Sequence, residues 1–254
     1  MLSPKAKGSR RNRQKSSRKG RTFRHIPIDE LMRRLDPLYG PAQAPRPYDP
    51  TSELIFTVLS QHTSDINSYR AFATLRETFS TWEDVLDADV DRLAETIRMG
   101  GLARIKAPRL QEILKAIWAR NGSWDLSFLA EMPLPEAKTW LLELPGVGPK
   151  TAGCVLLFSL GRPAMVVDTH VHRVARRLNL IGAKASADEA HDILEEKIPP
   201  EEILGAHVYL IRHGREVCKA QRPLCGECIL EDECPSSLIG RERESKPRPG
   251  PKVC

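Results

Sequence analysis

The spacing of apolar residues between positions 51 and 214 constrains the fold of this chain most strongly. Apolar side chains recur there at three- and four-residue steps, which places them on one face of successive α-helices. No convincing run alternates between apolar and polar residues, and the apolar run at 165–167 is too short to change the fold class. The pattern predicts an all-α fold of about eight to ten short helices. Thr51 or Ser52 is the expected N-cap of one of them.

The positive charge of the chain lies in its two ends. Of 254 residues with a net charge of +6, residues 1–24 hold ten Lys and Arg and no acid, whereas residues 25–239 carry a net charge of −7. A nucleic acid bound by the central part would therefore need a local basic patch. We expect residues 1–24 to form a disordered tail, because they lack large apolar groups. An electrostatic arm on a polyanion, a targeting address and a solvated extension all fit this tail.

Other segments limit the function classes. No apolar run reaches the length of a membrane span, and no apolar stretch of a secretory signal follows the basic N-terminus. These observations predict a protein without a membrane partner. The prolines between positions 37 and 50 predict a linker, and residues 237–254 are expected to be a flexible tail.

Four cysteines near the C-terminal end predict a metal site. Their spacing is C-x6-C-x2-C-x5-C, and the ligands would be Cys218, Cys225, Cys228 and Cys234. Four thiolates hold either zinc or an iron–sulfur cluster, and the spacing alone does not choose between them. Two disulfides are the competing interpretation, but nothing marks the chain as secreted. Cys154 and Cys254 are expected to take no part.

The segment 144–153, with the sequence LPGVGPKTAG, predicts a turn between two helices. Gly146 and Gly148 allow a sharp turn and a close approach of backbone N–H groups to a ligand. Val147 is expected to fill a gap in the core. Pro149 suits the first turn of the next helix, whose free N–H groups can bind a phosphate of a nucleic-acid backbone. An ordinary helix connection is the alternative.

Two residues near this turn are candidates for chemistry. Lys150 lies in the first turn of a helix, where the helix dipole favours the neutral amine, as partial burial also would. A neutral amine can attack an electrophilic carbon, although a lysine that only binds phosphate suits the same position. Asp168 precedes a helical pattern and is expected to be an N-cap, to act as a functional carboxylate, or to do both.

Together these motifs resemble the endonuclease III family of the helix–hairpin–helix DNA glycosylases. The resemblance rests on 144–153, on VDTHVHRVARRL at 167–178, on the four cysteines and on LSQHTSD at 59–65. It covers about residues 50–236. The resemblance implies two helical domains with a helix–hairpin–helix motif and a DNA-binding cleft between them. It also implies that the C-terminal cysteine loop, residues 218–234, carries a 4Fe–4S cluster.

The resemblance also implies a reaction and a site. The expected activity is that of a bifunctional DNA glycosylase and AP lyase in base excision repair, acting on double-stranded DNA with a damaged base or an abasic site. Lys150 matches the nucleophile that forms a Schiff base at C1′, and Asp168 matches the carboxylate that assists it. The strand is then cut 3′ to the lesion by β-elimination. The residues expected to contact DNA are Gln61, His62, Gly146, Val147, Gly148, Thr151, Lys219 and Arg222.

The chain departs from the family at several positions. His62 stands where Gln is more usual, Pro149 where a basic residue is more usual, and residues 103–105 lack the usual aromatic or Asn after Gly-Leu. These departures leave the lyase chemistry intact and leave the lesion open. Oxidised pyrimidines are the expected lesions. The alternatives are uracil or thymine mismatches, adenine mispairs, or a DNA-binding iron–sulfur module without catalysis.

The resemblance suggests a division of the chain into domains. Residues 25–53 would form a linker and a first helix that joins the cluster domain. Residues 54–160 would form a helical barrel with the hairpin, and residues 161–236 the iron–sulfur domain. We expect a monomer in the bacterial cytoplasm, associated with the nucleoid; a nuclear or organellar location is the alternative.

Overall fold

Most helices begin where a polar side chain caps them. The computed structural model describes residues 26–44 and 48–239, so the predicted tails lie almost wholly outside the described part of the chain. The side chains of Asp49, Ser64, Thr81, Asp89 and Ser186 each accept a hydrogen bond from a backbone N–H in the first turn of the helix that follows. Such a cap satisfies N–H groups that have no partner within the helix. The sequence thus fixes these helix starts locally.

The described residues contain eleven α-helices and no strand. The all-α prediction is therefore confirmed, with slightly more helices than expected. The helices are α1 (Ile28–Tyr39), α2 (Pro50–Ser60), α3 (Asp65–Thr78), α4 (Trp82–Asp87), α5 (Val90–Thr96), α6 (Ala103–Asn121), α7 (Leu134–Leu142), α8 (Pro149–Cys154), α9 (Thr169–Arg177), α10 (Ala187–Lys197) and α11 (Ile203–Glu216).

Two local predictions were wrong. The N-cap of α2 is Asp49, not Thr51 or Ser52, because Pro50 occupies the first turn and moves the helix start before it. The proline-rich stretch does not begin as a linker either, since Pro37 lies inside α1. That helix continues past its proline because Leu31, Leu35 and Tyr39 form one buried face.

The buried apolar side chains form two separate cores. The first is built by α2 to α7 together with part of α8 and the residues that follow it, and all its members lie between positions 54 and 164. The second is built by α1, α9, α10 and α11, and it also takes in Leu230 of the cysteine loop. The chain contributes α1 to the second core, then completes the first core, and then returns to the second. The exact domain boundaries stay a prediction.

The helix that follows the hairpin connects the two cores. After α8 the backbone widens into a π-helical turn at 155–159, a feature found mostly at functional sites. Val155 and Leu156 belong to the first core, whereas Leu157 and Phe158 belong to the second. The start of α8 is therefore held beside the junction between the cores.

Arg34 fastens α1 to the cysteine loop. Its guanidinium contacts Asp232 at 2.8 Å and Glu233 at 3.0 Å, and it donates to the carbonyl oxygen of Ile229 at 3.2 Å. Glu30, one turn earlier, pairs with the same guanidinium at 2.5 Å. The first described helix is thus tied to the last described segment. Over the described ranges, no helix is both long enough and apolar enough to cross a membrane.

Candidate functional site

The hairpin between α7 and α8 makes its sharp turn at Gly146, whereas Gly148 has an ordinary φ of −103°. Gly146 adopts a φ of +72°, and a Cβ at this position would lie 2.8 Å from the side chain of Arg109. Val147 is 6% exposed and packs into the first core, as predicted. Gly148 is the N-cap of α8, and no side chain caps this helix start. The turn therefore leaves the first N–H groups of α8 without a side-chain partner.

Lys150 and Thr151 lie in the first turn of α8, immediately after this hairpin. Thr151 is buried, whereas Lys150 is exposed. The partial burial considered for Lys150 is thus not found. Its amine is accessible to a ligand in the adjoining cleft.

Asp168 is the N-cap of α9, as predicted. Its Oδ1 accepts hydrogen bonds from the backbone N–H groups of His170 at 2.8 Å and Val171 at 2.7 Å. These bonds fix the carboxylate at the beginning of the helix. The capping role and a chemical role are compatible, because both bonds to the backbone are made by Oδ1.

Lys150 and Asp168 line the same cleft, whose cavity volume is about 330 Å³. They come from opposite sides of the junction between the two cores, one from the start of α8 and one from the start of α9. Tyr69 also lines the cleft, and its ring packs on that of Phe56 at a centroid distance of 4.9 Å. The cleft thus combines an amine, a carboxylate and an aromatic surface on which a base can stack.

An ion pair between the two cores lies in the lining of this cleft. Arg215 of α11 contacts Asp65 of α3 at 3.1 Å, so the pair joins helices from the two cores. Both side chains line the cleft and both are exposed. Cys154 also lines it, which sets it apart from the four other described cysteines. Cys154 thus lines a different cavity from the other four, and its exclusion from the metal site stays a prediction.

Three side chains hold the extended segment before Asp168 by hydrogen bonds to its backbone. Glu195 accepts from the backbone N–H of Met165 at 2.6 Å and pairs with Lys138. The Nδ1 of His191 contacts the carbonyl oxygen of Met165 at 2.7 Å, and the Nδ1 of His207 contacts that of Val166 at 2.9 Å. These side chains bond to the backbone groups that a neighbouring strand would satisfy in a β-sheet. The segment therefore stays extended and holds Asp168 at a defined position.

Two loops lie close together at the edge of the first core. Gln61 follows α2 directly, and the next residue, His62, is exposed with a φ of +54°. In the second loop Leu102 has a φ of +50° and is 51% exposed. The backbone strain that a positive φ causes in such residues marks functional sites.

Lys106 holds these two loops together. Its ammonium donates to the carbonyl oxygens of Leu59 at 2.6 Å and Gly100 at 2.8 Å, and to the hydroxyl of Thr63 at 3.3 Å. Thr63 also donates to the carbonyl of Gly100. The Lys106 side chain is buried, and burial lowers its pKa. Lys106 therefore fixes the loop with Gln61 and His62 and the loop with Leu102 relative to each other.

The four cysteines of the cysteine loop surround one cavity at the surface of the second core. This cavity is lined by Cys218, Cys225, Cys228 and Cys234. Four thiols around one cavity supply the ligands that an iron–sulfur cluster or a zinc ion requires.

The chemistry of the thiols supports the same conclusion. Burial raises the pKa of Cys228 to about 11 and also raises that of Cys234. Buried thiols of this kind become thiolates when a metal binds them, and the metal then supplies the charge that stabilises them. The cavity and the donor set therefore fit the predicted iron–sulfur cluster.

Two arginines of α9 shape the backbone of the cysteine loop. Arg177 donates to the carbonyl of Lys219 at 2.8 Å and to the Sγ of Cys218 at 3.3 Å. Arg173 donates to the carbonyl of Cys218 at 3.0 Å. Lys219 and Arg222 are both exposed on this loop. The helix that Asp168 caps therefore also orients the cysteine loop, which carries Lys219 and Arg222, the two cations predicted to contact DNA.

The structure brings Lys150 and Asp168 into one cleft and the four cysteines around one cavity, and it adds residues that the sequence does not mark. The missed residues are Tyr69, Lys106, His207 and Arg215. Three of them lie within helical patterns that otherwise indicate only packing, so their spacing gave no signal. Lys106 is a charged residue that the fold buries, and nothing in the sequence marks a lysine for burial.

Comparisons with known proteins agree with this arrangement. The family model of the HhH-GPD superfamily base excision DNA repair proteins matches residues 55–200, and that of the iron–sulfur binding domain of endonuclease III matches residues 218–234. The endonuclease III of Thermotoga maritima is 37% identical over 187 residues, covering 73% of this chain and 83% of that protein. The endonuclease III of Escherichia coli is 32% identical over 185 residues, covering 73% and 83%.

Solved structures give the same result. A trapped covalent intermediate of an endonuclease III with DNA superposes with a TM-score of 0.71 at 31% identity, covering 85% of this chain and 97% of that one. A thermostable thymine-DNA glycosylase, at 19% identity and a TM-score of 0.67, shares the fold alone. The chain therefore belongs to the HhH-GPD superfamily of base excision DNA repair proteins and, within it, to the endonuclease III family of iron–sulfur DNA glycosylase/AP lyases.

Proposed function

We propose that Lys150 is the nucleophile of this enzyme and that Asp168 is its carboxylate partner. The observation that carries the proposal is their meeting in one cleft, although they come from different helices on either side of the core junction. A DNA complex of a related endonuclease III was trapped as a covalent intermediate, which supports a covalent reaction here. A module that only binds DNA would need neither residue.

The reaction follows from these two groups. The Nζ of Lys150 bonds to C1′ of the damaged nucleotide, and the bond from C1′ to the base breaks with its electron pair leaving on the base. The carboxylate of Asp168 stabilises the positive charge that develops on the sugar. The C1′–O4′ bond then breaks: Nζ gives up a proton, O4′ takes one up, and C1′ and Nζ form the C=N bond of a Schiff base. Removal of a proton from C2′ then breaks the C3′–O bond, whose electron pair leaves on the 3′ phosphate, and this cuts the strand. Water hydrolyses the C=N bond and releases Lys150.

The cysteine loop serves binding in this proposal. When bound, the 4Fe–4S cluster supplies an anchor that orders the loop, and the chemistry at C1′ needs no electron from it. Lys219 and Arg222 would then contact the DNA backbone, and Gly146, Val147, Gly148 and Thr151 would bind a second phosphate at the start of α8. The buried Val147 would act by keeping the turn in place.

The two loops held by Lys106 would insert side chains into the space that the flipped nucleotide leaves in the duplex. Flipping a nucleotide costs a few kcal/mol, and a side chain that occupies the vacated space lowers that cost. Gln61 and His62 are the predicted fillers. The exposed Leu102, on the neighbouring loop, would act as an apolar wedge beside them.

We propose oxidised pyrimidines as the lesions. Tyr69 and the polar groups of Asp65 and Arg215 give a pocket that can stack a base and hydrogen-bond to added oxygens. Uracil or thymine mismatches and adenine mispairs are the alternatives. A panel of duplexes, each with one lesion, would separate these classes by the base that is released.

The decisive experiment is borohydride trapping on a duplex with one abasic site, with wild type beside Lys150→Ala. A covalent complex with the wild type alone supports the lysine Schiff base. Trapping by Lys150→Ala would reject Lys150 as the nucleophile, and trapping by neither would favour a glycosylase without lyase activity. Binding of both proteins to the same duplex serves as the control for folding.

The assembly state and location are part of the proposal. We propose that the protein acts on DNA as a monomer, since the cleft, the hairpin and the cysteine loop all come from one chain. A bacterial cytoplasmic location near the nucleoid is the accompanying proposal. Light scattering of the holoenzyme with and without duplex DNA would test the first of these.

A further inference from the structure

His207 is a buried histidine whose hydrogen bonds define its state. It lies on α11, is 6% exposed, and its Nδ1 is 2.9 Å from the carbonyl oxygen of Val166. A carbonyl oxygen only accepts, so Nδ1 carries the proton of this bond. Burial lowers the pKa of His207, which keeps the ring neutral near pH 7. The second ring nitrogen, Nε2, therefore presents a lone pair.

This second nitrogen opens onto the cleft. Within the described part of the chain, Nε2 of His207 has no hydrogen-bond partner. His207 is part of the cleft lining, so a partner for Nε2 can come from the cleft. A lone pair in the lining of a cleft is an acceptor for a ligand or for a mobile side chain.

The charges around the ring identify its partners. Asp168 raises the pKa of His207, whereas Lys150 and Arg215 lower it, so all three charged groups lie near the ring. Of these, Asp168 can only accept and Arg215 is already paired with Asp65. Lys150 is the nearby donor on the same cleft with an exposed amine. The neutral Nε2 and the amine of Lys150 are thus complementary.

His191 offers a comparison within the same molecule. It is also buried, its Nδ1 also contacts a carbonyl of the extended segment, that of Met165 at 2.7 Å, and burial also lowers its pKa. His191 does not line the cleft. The two histidines therefore share the anchoring bond and differ in access to the cleft.

We propose that His207 is a positioning residue for the nucleophile. Its Nε2 accepts a hydrogen bond from the Nζ of Lys150, directly or through one water, and so turns the lone pair of the amine toward C1′. Its Nδ1 meanwhile holds Val166 and, through the backbone, Asp168. The inference rests on the role proposed for Lys150, and His207 itself neither gains nor loses a proton in the reaction.

The test compares His207→Asn with the matched control His191→Asn. The amide of Asn can still donate to the backbone carbonyl, but it has no group in the position of Nε2. We expect His207→Asn to slow single-turnover base release and borohydride trapping at least tenfold, while binding to a duplex with a non-reactive tetrahydrofuran site stays within twofold. His191→Asn should stay within twofold of wild type in all three assays.

Two results would overturn the proposal: a rate of His207→Asn within twofold of wild type, or equal slowing by the two variants, which would indicate anchoring alone. Should His207→Asn fail to fold, the ¹⁵N signal of His207 Nε2 in labelled holoenzyme gives a second test. We expect this signal to differ between wild type and Lys150→Ala, and identical signals would refute the contact. A failure of Lys150 as nucleophile would instead appear as trapping by Lys150→Ala.

Discussion

Replacing Lys106 with Met tests whether one buried ammonium supports the two loops that face the duplex. Methionine is unbranched and of similar length, but it donates no hydrogen bond. The change would leave the carbonyl oxygens of Leu59 and Gly100 without the charged donor that now lies at 2.6 and 2.8 Å. Both carbonyls meet a side chain that is only 4% exposed, so water cannot simply replace it.

The expected cost follows from two opposing effects. A buried acceptor that loses its partner costs about 1–3 kcal/mol, and this applies to the carbonyl of Leu59, since that of Gly100 keeps the hydroxyl of Thr63. Removing the ammonium also removes the cost of burying a charge, which the lowered pKa of Lys106 reveals. We expect the free energy of unfolding to fall by about 1–2 kcal/mol, and the loops with His62 and Leu102 to open more often.

Urea denaturation of the holoenzyme would give the stability, and hydrogen exchange at 61–64 and 100–102 would report the loops. Lys115→Met is the matched control, because Lys115 is an exposed residue on the same helix and should cost no more than about 0.5 kcal/mol. A loss below 1 kcal/mol for Lys106→Met, with unchanged exchange in both loops, would refute the idea that this ammonium supports them.

Three further predictions concern the cleft, the hairpin and acid stability. Asp168→Asn should keep the N-cap, so the unfolding free energy should change by less than about 0.5 kcal/mol while base release falls about a hundredfold or more; comparable losses in both would show that capping is its main role. Gly146→Ala should lower the free energy of unfolding by about 1–2 kcal/mol and weaken DNA binding, because φ is +72° and the new Cβ would meet Arg109. Gly148→Ala is the control, because Gly148 has a φ of −103° and open space around it. Burial lowers the folded-state pKa of His191 and His207. Below about pH 6.5 the unfolded chain therefore binds more protons than the folded chain, and the free energy of unfolding should fall by up to about 1.4 kcal/mol per pH unit for each histidine. Urea midpoints that stay flat from pH 7.5 to 5.5 would contradict this.

The sequence predicted those parts of the site that depend on local chemistry. Asp168 as an N-cap, Val147 in the core and the sharp turn at Gly146 all follow from a few neighbouring residues, and the structure has each of them. The cap of α2 was missed although its signal was also local. Asp49 stands directly before a proline that suits the first turn, and that pair should have outweighed the hydroxyl residues after it.

The rest depends on contacts between residues far apart in the chain. His207 lies in an apolar helical stripe, and its function depends on a carbonyl 41 positions earlier. Lys106 is an ordinary basic residue until its helix packs against two loops, one of them 47 positions away. Periodicity reports which face of a helix is buried, but not which polar group finds a partner inside that face.

The order in which this chain is synthesised bears on how it matures. Among the described helices α1 leaves the ribosome first, yet α11, which packs against it, follows only after the whole first core has been made. The first core, in contrast, uses one continuous stretch and can fold as soon as that stretch emerges. The four thiols follow α11, so the cluster can be inserted into the second core only after residues 40–234 have been translated behind α1. Iron shortage during growth should therefore leave chains whose first core is folded and whose α1 is still exposed to proteases.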